Sequence, residues 1–446
     1  MKKRTILFTL LFMALVLAAC GGSTTTPTDS TEVEPTAALQ EASALQAAAT
    51  LPPPAMSVET DPTGAAEPDT GGNAPAAPVT APNEETGPQP VYPWPADRFG
   101  YGIQSHATVG DPALTMEVIA NQLRMDWVKV QFQWALVQPS PEAQDWFHYD
   151  GIVDEANKHG LNLMFSVVTA PAWTRSANNI DGPPDDFNVY VDFVSALVAR
   201  YAGKVQAIEV WNEQNLDREW ATANGISPED YVDFLARTYQ AIKDIDPNVI
   251  VISGALSPTG PGDWVRWADD FEYMDRMLAA GALDYADCVG AHHNGYNIPP
   301  NVAYDQTGSL PEAATATFRG PFDNPYHLWS FQTTLDGYLE RIRQYDPNKK
   351  LCVTEFGWGS SEGYDSYPAG FEFVNDNTLQ EQADYIVQAF QQMHDSGDVW
   401  LAFLFNFDFG NKGNGPTDDP VPYSIVDTIG APRPAFGAVA DMEKVP

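Results

Sequence analysis

The stretch Ala207-Ile-Glu-Val-Trp-Asn-Glu-Gln-Asn-Leu216 decides how the rest of the chain is interpreted. It begins as an apolar run typical of a buried β-strand and ends in a cluster of amides and a carboxylate. A second stretch, Lys349-Lys-Leu-Cys-Val-Thr-Glu-Phe-Gly-Trp358, is also an apolar strand that ends in a glutamate. A (β/α)8 barrel places its active site at the carboxyl ends of its parallel strands. The two stretches therefore predict a TIM barrel that carries Glu213 and Glu355 on one rim.

Strand-like and helix-like segments alternate from Arg98 onward, which is typical of βα units around a parallel sheet. Predicted strands lie near residues 101–106, 127–134, 161–169, 205–211, 249–255, 288–292, 351–354 and 400–406. Predicted helices lie near residues 114–123, 151–159, 187–201, 228–245, 264–280, 330–345, 379–396 and 434–442. Eight strands and eight helices fit one (β/α)8 domain that spans residues 96–446.

The first 95 residues predict export and a tether. A charged start at residues 2–4 and an apolar run at residues 5–17 are typical of a signal peptide. The segment ends in Leu17-Ala-Ala-Cys-Gly21, which resembles a bacterial lipoprotein cleavage box and implies lipidation of Cys20. An ordinary signal peptide that contains a cysteine is the alternative. Residues 21–95 contain 14 prolines, 10 acidic residues and no lysine or arginine, a composition that favours an extended, disordered linker.

The net charge of the chain limits which binding partners we expect. A formal net charge of -37 excludes nucleic acid and anionic surfaces as preferred partners, so we expect membrane contact only through the lipid anchor. We also expect a monomer.

Three cysteines do not make a disulfide framework. Cys288 and Cys352 fall on neighbouring predicted strands. A parallel sheet offers poor cross-strand geometry for a disulfide, and buried cysteine is an ordinary core residue, so we expect two free, buried thiols.

The residues around the two glutamates carry a family resemblance. Val-Trp-Asn-Glu-Gln-Asn resembles the Trp-Asn-Glu-Pro-Asn motif of clan A glycoside hydrolases, and Thr-Glu-Phe-Gly-Trp resembles their second motif. The resemblance implies that Glu213 is the general acid/base, that Glu355 is the nucleophile and that Asn212 holds the sugar 2-hydroxyl. Gln214 replaces the proline of the family motif. Between residues 98 and 442 the remaining resemblance rests on pattern alone.

Other strand ends supply candidate substrate-binding residues. His106 ends the first predicted strand, His292 and Tyr296 end the sixth, and Trp358 follows Glu355. Tyr296 lies four residues after His292, whereas family members often place a tyrosine two residues after the histidine. Trp173, after the third strand, resembles the family's sugar-facing loop, and two roles stay open for it: a stacking platform for a sugar or a packed loop aromatic.

Two further features have open roles. Lys129 lies on the second predicted strand, near a position where the clan often has arginine; pairing with Glu209 inside the barrel is the favoured role. Residues 297–329 and 359–378 form long loops rich in aromatic side chains. Such loops shape a binding cleft or decorate the surface.

The sequence thus predicts a glycosidase that retains anomeric configuration and cleaves β-linked poly- or oligosaccharides at the cell surface. Double displacement needs neither a cofactor nor a metal, so none is expected. The pair His292 and His293 does not indicate a zinc site, since adjacent residues on a strand point to opposite faces and the sequence shows no third ligand at a suitable spacing. Two alternatives come from other classes. A non-catalytic carbohydrate-binding lipoprotein on a TIM barrel would be expected to lack one glutamate, and a solute-binding lipoprotein would show two lobes.

Overall fold

The structure is a computed structural model that describes residues 90–445. Its centre is a sheet of eight parallel strands in the order β5-β4-β3-β2-β1-β8-β7-β6. Two isolated parallel bridges, Ile252 with Cys288 and Leu256 with Ala291, join the two edge strands. The sheet is therefore a nearly closed barrel, and the predicted (β/α)8 fold is confirmed.

Each predicted strand is present, with ends that shift by a few residues. The strands are β1 Gly100–Gln104, β2 Trp127–Gln133, β3 Asn162–Val168, β4 Ala207–Val210, β5 Ile250–Ser253, β6 Val289–Gly295, β7 Leu351–Trp358 and β8 Val399–Leu404. Strands β6 and β7 run further toward their carboxyl ends than the sequence predicted. This extension matters because it places Glu355 within β7 and Asn294 within β6.

One main helix follows each strand and packs on the outside of the barrel. The helices are α1 Pro112–Glu117, α2 Phe147–Lys158, α3 Phe187–Arg200, α4 Pro228–Ile245, α5 Asp270–Ala279, α6 Phe331–Ile342, α7 Leu379–Ser396 and α8 Pro434–Asp441. Helix α1 continues into a π-helical turn, Val118–Gln122. Side-chain caps define several starts; in α7, Thr378 and Glu381 form a reciprocal capping box. In the described part of the chain, no helix combines the length and apolarity that a membrane crossing requires.

The amino-terminal end of the described chain closes the bottom of the barrel. Trp94 is 6% exposed and packs edge-on against Trp127, while the Tyr92 hydroxyl donates to Asp287 at 2.8 Å. Composition places residues 90–95 in the linker, yet the structure packs Tyr92 and Trp94 against the barrel. The signal peptide, Cys20 and the linker as far as residue 89 lie outside the described residues.

Cys288 and Cys352 form a disulfide, which corrects the expectation of two free thiols. Cys288 precedes the first residue of β6, and Cys352 of β7 is paired in register with Gly290. The two cysteines are therefore offset and are not directly opposite each other in a regular ladder, and their Cα atoms lie 5.8 Å apart. That separation falls within the range that a disulfide spans. The bond joins β6 to β7 below the two catalytic candidates.

Candidate active site

Strand β4 ends in an unusual backbone turn that presents Glu213 at the rim of the barrel. Trp211 has a φ of 77° and Glu213 a φ of 42°, both in the left-handed region that side chains other than glycine rarely adopt. Each such residue costs about 1–3 kcal/mol and persists only where surrounding contacts impose it. Here the Glu213 amide donates to the Ala255 carbonyl at 2.9 Å, and the Trp211 indole donates to the Glu219 carbonyl at 2.8 Å.

The rest of the motif ties β4 to the segment after β5. The Gln214 side chain, fully buried, donates to the Gly254 carbonyl at 2.7 Å. A Cβ on Gly254 would lie 2.5 Å from the Gln214 amide oxygen, so only glycine permits this approach. Asn215 donates to the Ser257 carbonyl and accepts from the Ser257 amide, each at 2.9 Å. Gln214, where the family motif has proline, thus anchors the loop behind the site.

Glu355 lies on β7 and is 3% exposed. One of its oxygens, Oε1, accepts from the Lys129 ammonium at 3.0 Å, and Oε2 accepts from the Asn294 amide at 3.4 Å. A cation on one oxygen and an amide on the other fix the orientation of the carboxylate. This is the arrangement that a carboxylate nucleophile needs, because its attacking oxygen must be aimed before the substrate arrives.

His292 stands between the two glutamates. Its Nδ1 atom lies 3.2 Å from Glu213 Oε1 and 4.0 Å from Glu355 Oε2. The sum of these distances, 7.2 Å, is the upper limit on the separation of those two carboxylate oxygens. The structure therefore brings Glu213, Glu355 and His292 into one cluster, from three strands that lie far apart in the chain.

A polar network fills the barrel beneath this cluster. Glu209, fully buried, accepts from Ser166 and Thr354 hydroxyls at 2.6 Å each. Lys129 lies 3.5 Å from Glu209 Oε2, which confirms the favoured pairing, but it lies closer to Glu355. One buried cation therefore serves two buried carboxylates, those of Glu209 and Glu355.

A second cation approaches the other glutamate. Arg218, in the turn after β4, donates to Glu213 Oε2 at 3.2 Å. Asp419, in the segment after β8, is close enough for its charge to interact with that of Arg218. Burial raises the pKa of Asp419 from its ordinary value to about 7, against the opposing effect of Arg218. Glu213 thus has a histidine on one oxygen and a guanidinium on the other.

The adjacent histidines of β6 point to opposite faces, as the alternation of a strand requires. His293 lies outside the barrel with its ring 5.7 Å from Phe331 of α6, and burial lowers its pKa to about 4. It is thus separated from the site that His292 occupies. Within residues 90–445, no group of three or more histidine, cysteine, aspartate or glutamate side chains is placed to hold a metal ion.

The other predicted substrate-binding residues have varied surroundings. His106 is buried against Phe409, and its burial lowers its pKa to about 4. The Trp173 indole donates to the Gln138 carbonyl at 2.9 Å and remains partly exposed. Trp358 is 1% exposed, and its indole donates to the Ile298 carbonyl. The contacts of Trp358 with Phe331 and Tyr385 belong to the layer between barrel and helices. Sugar contacts for all three remain predictions.

Tyr296 lies in an aromatic cluster that joins the two long loops. Its ring is 4.7 Å from that of Trp329 and 4.8 Å from that of Phe373. Burial, followed by the charge of Glu213, raises the pKa of Tyr296 above its ordinary value. Several loop aromatics thus pack against one another beside the site, while Tyr304 and Tyr367 remain exposed.

Sequence reasoning missed three residues around Glu213 and Glu355. Asn294 could have been found, because it lies two residues after His292 on the same strand and therefore on the same face. Arg218 and Glu219 carried no signal, since they follow the motif in an irregular turn whose course the sequence does not reveal. Both approach the site because the turn folds back on itself, with the Glu219 amide bonded to the Leu216 carbonyl.

Solved glycoside hydrolases share this architecture. A family 39 glycoside hydrolase from the gut symbiont Bacteroides cellulosilyticus WH2 has a TM-score of 0.55 at 20% identity, over 77% of this chain and 62% of that one. The GH5_18 protein from Streptomyces cattleya, in complex with GlcNAc, has a TM-score of 0.53 at 16% identity, over 77% and 79%. The exo-β-1,4-mannosidase from Opitutaceae bacterium strain TAV5 has a TM-score of 0.50 at 13% identity, over 77% and 58%.

These proteins are similar to this chain in fold. The chain spans 62% of the length of the family 39 enzyme, which is less than two thirds. No family model and no curated protein matches the sequence. At such low identity the shared feature is the (β/α)8 barrel. A barrel hosts many chemistries, so the functional assignment rests on the side chains at its rim.

Proposed function

We propose that this protein is a glycoside hydrolase that cleaves β-linked O-glycosidic bonds by double displacement. The observation that carries the proposal is the meeting of Glu213 and Glu355 around His292, within an upper limit of 7.2 Å between facing oxygens. Retaining glycosidases hold their two carboxyl groups about 5–5.5 Å apart, and inverting enzymes hold them roughly 6.5–9.5 Å apart. The limit admits the shorter spacing, which supports double displacement.

In the first step, Glu355 attacks the anomeric carbon while Glu213 gives its proton to the departing oxygen. The product is a glycosyl ester on Glu355 together with the free leaving alcohol. In the second step, Glu213 takes a proton from water, and the resulting hydroxide equivalent displaces Glu355. Two inversions at one carbon restore the original configuration. Lys129 and Asn294 hold the nucleophile between steps, through the contacts described above.

The substrate class is proposed from the two motifs and the structural neighbours together. An exo-β-1,4-mannosidase and a protein solved with GlcNAc are among those neighbours. Because the mannosidase acts on β-1,4 linkages, β-linked sugars are the substrates to try first. The net charge of -37 favours neutral glycans over acidic ones.

We further propose that the enzyme works outside the cytoplasm, anchored by lipid at Cys20. The signal-like start and the cleavage box support this location. The Cys288–Cys352 disulfide supports it independently, because such bonds persist in oxidising compartments. The linker would then hold the domain away from the membrane.

The test separates the two glutamates by their roles. On an aryl β-glycoside with a good leaving group, Glu213→Ala is expected to retain some cleavage, because that leaving group needs no proton, and added azide should yield a β-glycosyl azide. Glu355→Ala should lose activity, and azide should yield the α-azide. A matched control is Glu229→Ala on the outer surface of α4, where the side chain is 52% exposed and activity should be unchanged.

Proton NMR of the wild-type reaction tests the stereochemistry. The first product should carry the β configuration before mutarotation. An initial α product would rule out double displacement while leaving glycosidase activity intact. If the wild-type protein binds glycans but cleaves none of a broad panel of glycosides and polysaccharides, the carbohydrate-binding alternative replaces the enzyme.

A further inference from the structure

The barrel interior holds a carboxylate that the proposed reaction steps do not use. Glu209 lies on β4, four residues before Glu213, and is fully buried. Its Oε1 atom accepts from the Thr354 hydroxyl at 2.6 Å and from the Ala255 amide at 3.4 Å. Its Oε2 atom accepts from the Ser166 hydroxyl at 2.6 Å. An ionised carboxylate only accepts hydrogen bonds, and each of these contacts comes from a donor, so Glu209 carries a negative charge beneath the site.

One cation lies between Glu209 and the nucleophile. The Lys129 ammonium, which is fully buried, lies 3.5 Å from Glu209 Oε2 and 3.0 Å from Glu355 Oε1. These distances set an upper limit of 6.5 Å on the separation of the two carboxylate oxygens. His292 Nε2 lies 3.9 Å from Glu209 Oε1, which is beyond hydrogen-bond range. The three charged groups are buried together, so a change of charge on one of them strongly affects the other two.

Double displacement removes the charge of Glu355 and later returns it. In the first step, an oxygen of Glu355 bonds to the anomeric carbon, and the bond from that carbon to the leaving oxygen breaks. The bonding pair goes to the leaving oxygen, which takes the proton of Glu213. Glu355 is then a neutral ester that no longer balances Lys129. Because an unpaired buried cation is costly, the intermediate needs a second anion beside the ammonium, and Glu209 is in place to supply it.

We propose that Glu209 is a positioning residue that acts through Lys129 and keeps the ammonium paired while Glu355 is esterified. The proposal rests on the glycosidase function proposed above and deepens it, since it gives the covalent intermediate its counter-charge. Glu209 also repels the negative charge on Glu355. It therefore speeds formation of the ester, in which that charge leaves Glu355, and slows hydrolysis of the ester, in which the charge returns.

The decisive variant is Glu209→Gln, which removes the charge and keeps the shape of the side chain. At an effective dielectric constant of about 20, a unit charge at 6.5 Å changes the stability of the charge on Glu355 by roughly 70-fold. Part of this factor applies to each step, because each transition state has moved only part of the charge. We expect formation of the ester to be about tenfold slower in the variant, and its hydrolysis about tenfold faster.

The two steps are measured separately with a fluorinated probe. The probe is the 2,4-dinitrophenyl 2-deoxy-2-fluoro-β-glycoside of whichever sugar, glucose, mannose or xylose, wild type cleaves fastest. Its electron-withdrawing fluorine slows both steps, so the ester accumulates. Mass spectrometry of the intact protein gives the rate of labelling, and the return of activity after removal of the probe gives the rate of hydrolysis.

Ser166→Ala is the matched control. It removes a hydrogen bond from Glu209 but leaves the charge in place, so both rates should stay within about threefold of wild type. Opposite changes of the two rates in Glu209→Gln support the proposal. If Glu209→Gln lowers both rates, or changes neither, the side chain only maintains structure and the proposal is wrong. Should Glu209→Gln not fold, Glu209→Met, which is also uncharged, takes its place.

The outcome stays distinguishable from failure of the proposed function. If wild type hydrolyses no glycoside, the glycosidase proposal fails, and this inference fails with it. If wild type hydrolyses glycosides but forms no ester with the probe, double displacement and this inference are overturned while glycosidase activity stands. If wild type forms the ester and Glu209→Gln does not change its two rates in opposite directions, only the role of Glu209 is overturned.

Discussion

Replacing Lys129 with methionine tests the charge arrangement at the centre of the barrel. Lys129 is fully buried and lies 3.0 Å from Glu355 Oε1 and 3.5 Å from Glu209 Oε2. Its ammonium also donates to the Thr354 carbonyl at 3.1 Å. Methionine matches the length of the lysine stem but carries no charge, so the substitution leaves two buried carboxylates without their shared cation.

The magnitude follows from these distances. At an effective dielectric constant of about 20, each ion pair contributes roughly 5 kcal/mol of Coulomb attraction, most of which is offset by desolvation. Removal of one partner from a buried pair costs about 3–5 kcal/mol, because the remaining charge is left unpaired. The entropy of unfolding for a domain of roughly 350 residues is about 0.75 kcal/mol per kelvin. Lys129→Met should therefore lower Tm by about 4–7 °C.

Calorimetry measures the thermal unfolding of Lys129→Met, and Lys204→Met is the matched control. Lys204 lies 2.8 Å from Asp154, a shorter contact than either pair of Lys129, but the two side chains are 52% and 68% exposed. Solvent screening limits such a pair to about 1 kcal/mol or less, so Tm should move by roughly 1 °C. Equal shifts in the two variants would refute the argument that burial gives the Lys129 contacts their strength.

Activity provides a second readout. Because Lys129 holds one oxygen of Glu355, its loss should reduce kcat/KM on the order of 100-fold in Lys129→Met. Adding Glu209→Gln removes one of the two carboxylates and should restore part of the lost stability. The double variant should remain slow, since Glu355 still lacks its cation. Full recovery of activity in the double variant would contradict the positioning role of Lys129.

Three other predictions follow from separate features. The double variant Cys288→Ala/Cys352→Ala removes a cross-link between residues 64 apart and should lower the free energy of unfolding by about 4 kcal/mol. The loss should appear as a lower denaturant midpoint, and an unchanged midpoint would show that the bond does not constrain the unfolded chain. Burial raises the pKa of Asp419 from 3.8 in the unfolded chain to about 7 in the folded protein, so wild-type stability falls as pH rises between these two values. Asp419→Asn should therefore be more stabilising at pH 8 than at pH 5 in urea unfolding. Cys20→Ser should move the protein from the membrane fraction to the soluble fraction, and unchanged partitioning would exclude the lipid anchor.

The sequence by itself determined the eightfold alternation of strands and helices and the two rim glutamates. Both are local signals. An apolar run that ends in an acidic residue marks a strand end, and the fold places all strand ends on one face. The pairing of Lys129 with Glu209 was also predictable, because inward-facing charges in a barrel have few partners available.

Only the tertiary structure decided the contacts that depend on the course of the chain between strands. The turn after β4 brings Arg218 to Glu213, and the left-handed backbone at Glu213 has no local marker in a non-glycine residue. The Cys288–Cys352 disulfide likewise depends on the offset between β6 and β7. A strand pattern records which residues face inward, but register and loop path arise from packing between segments that are distant in sequence.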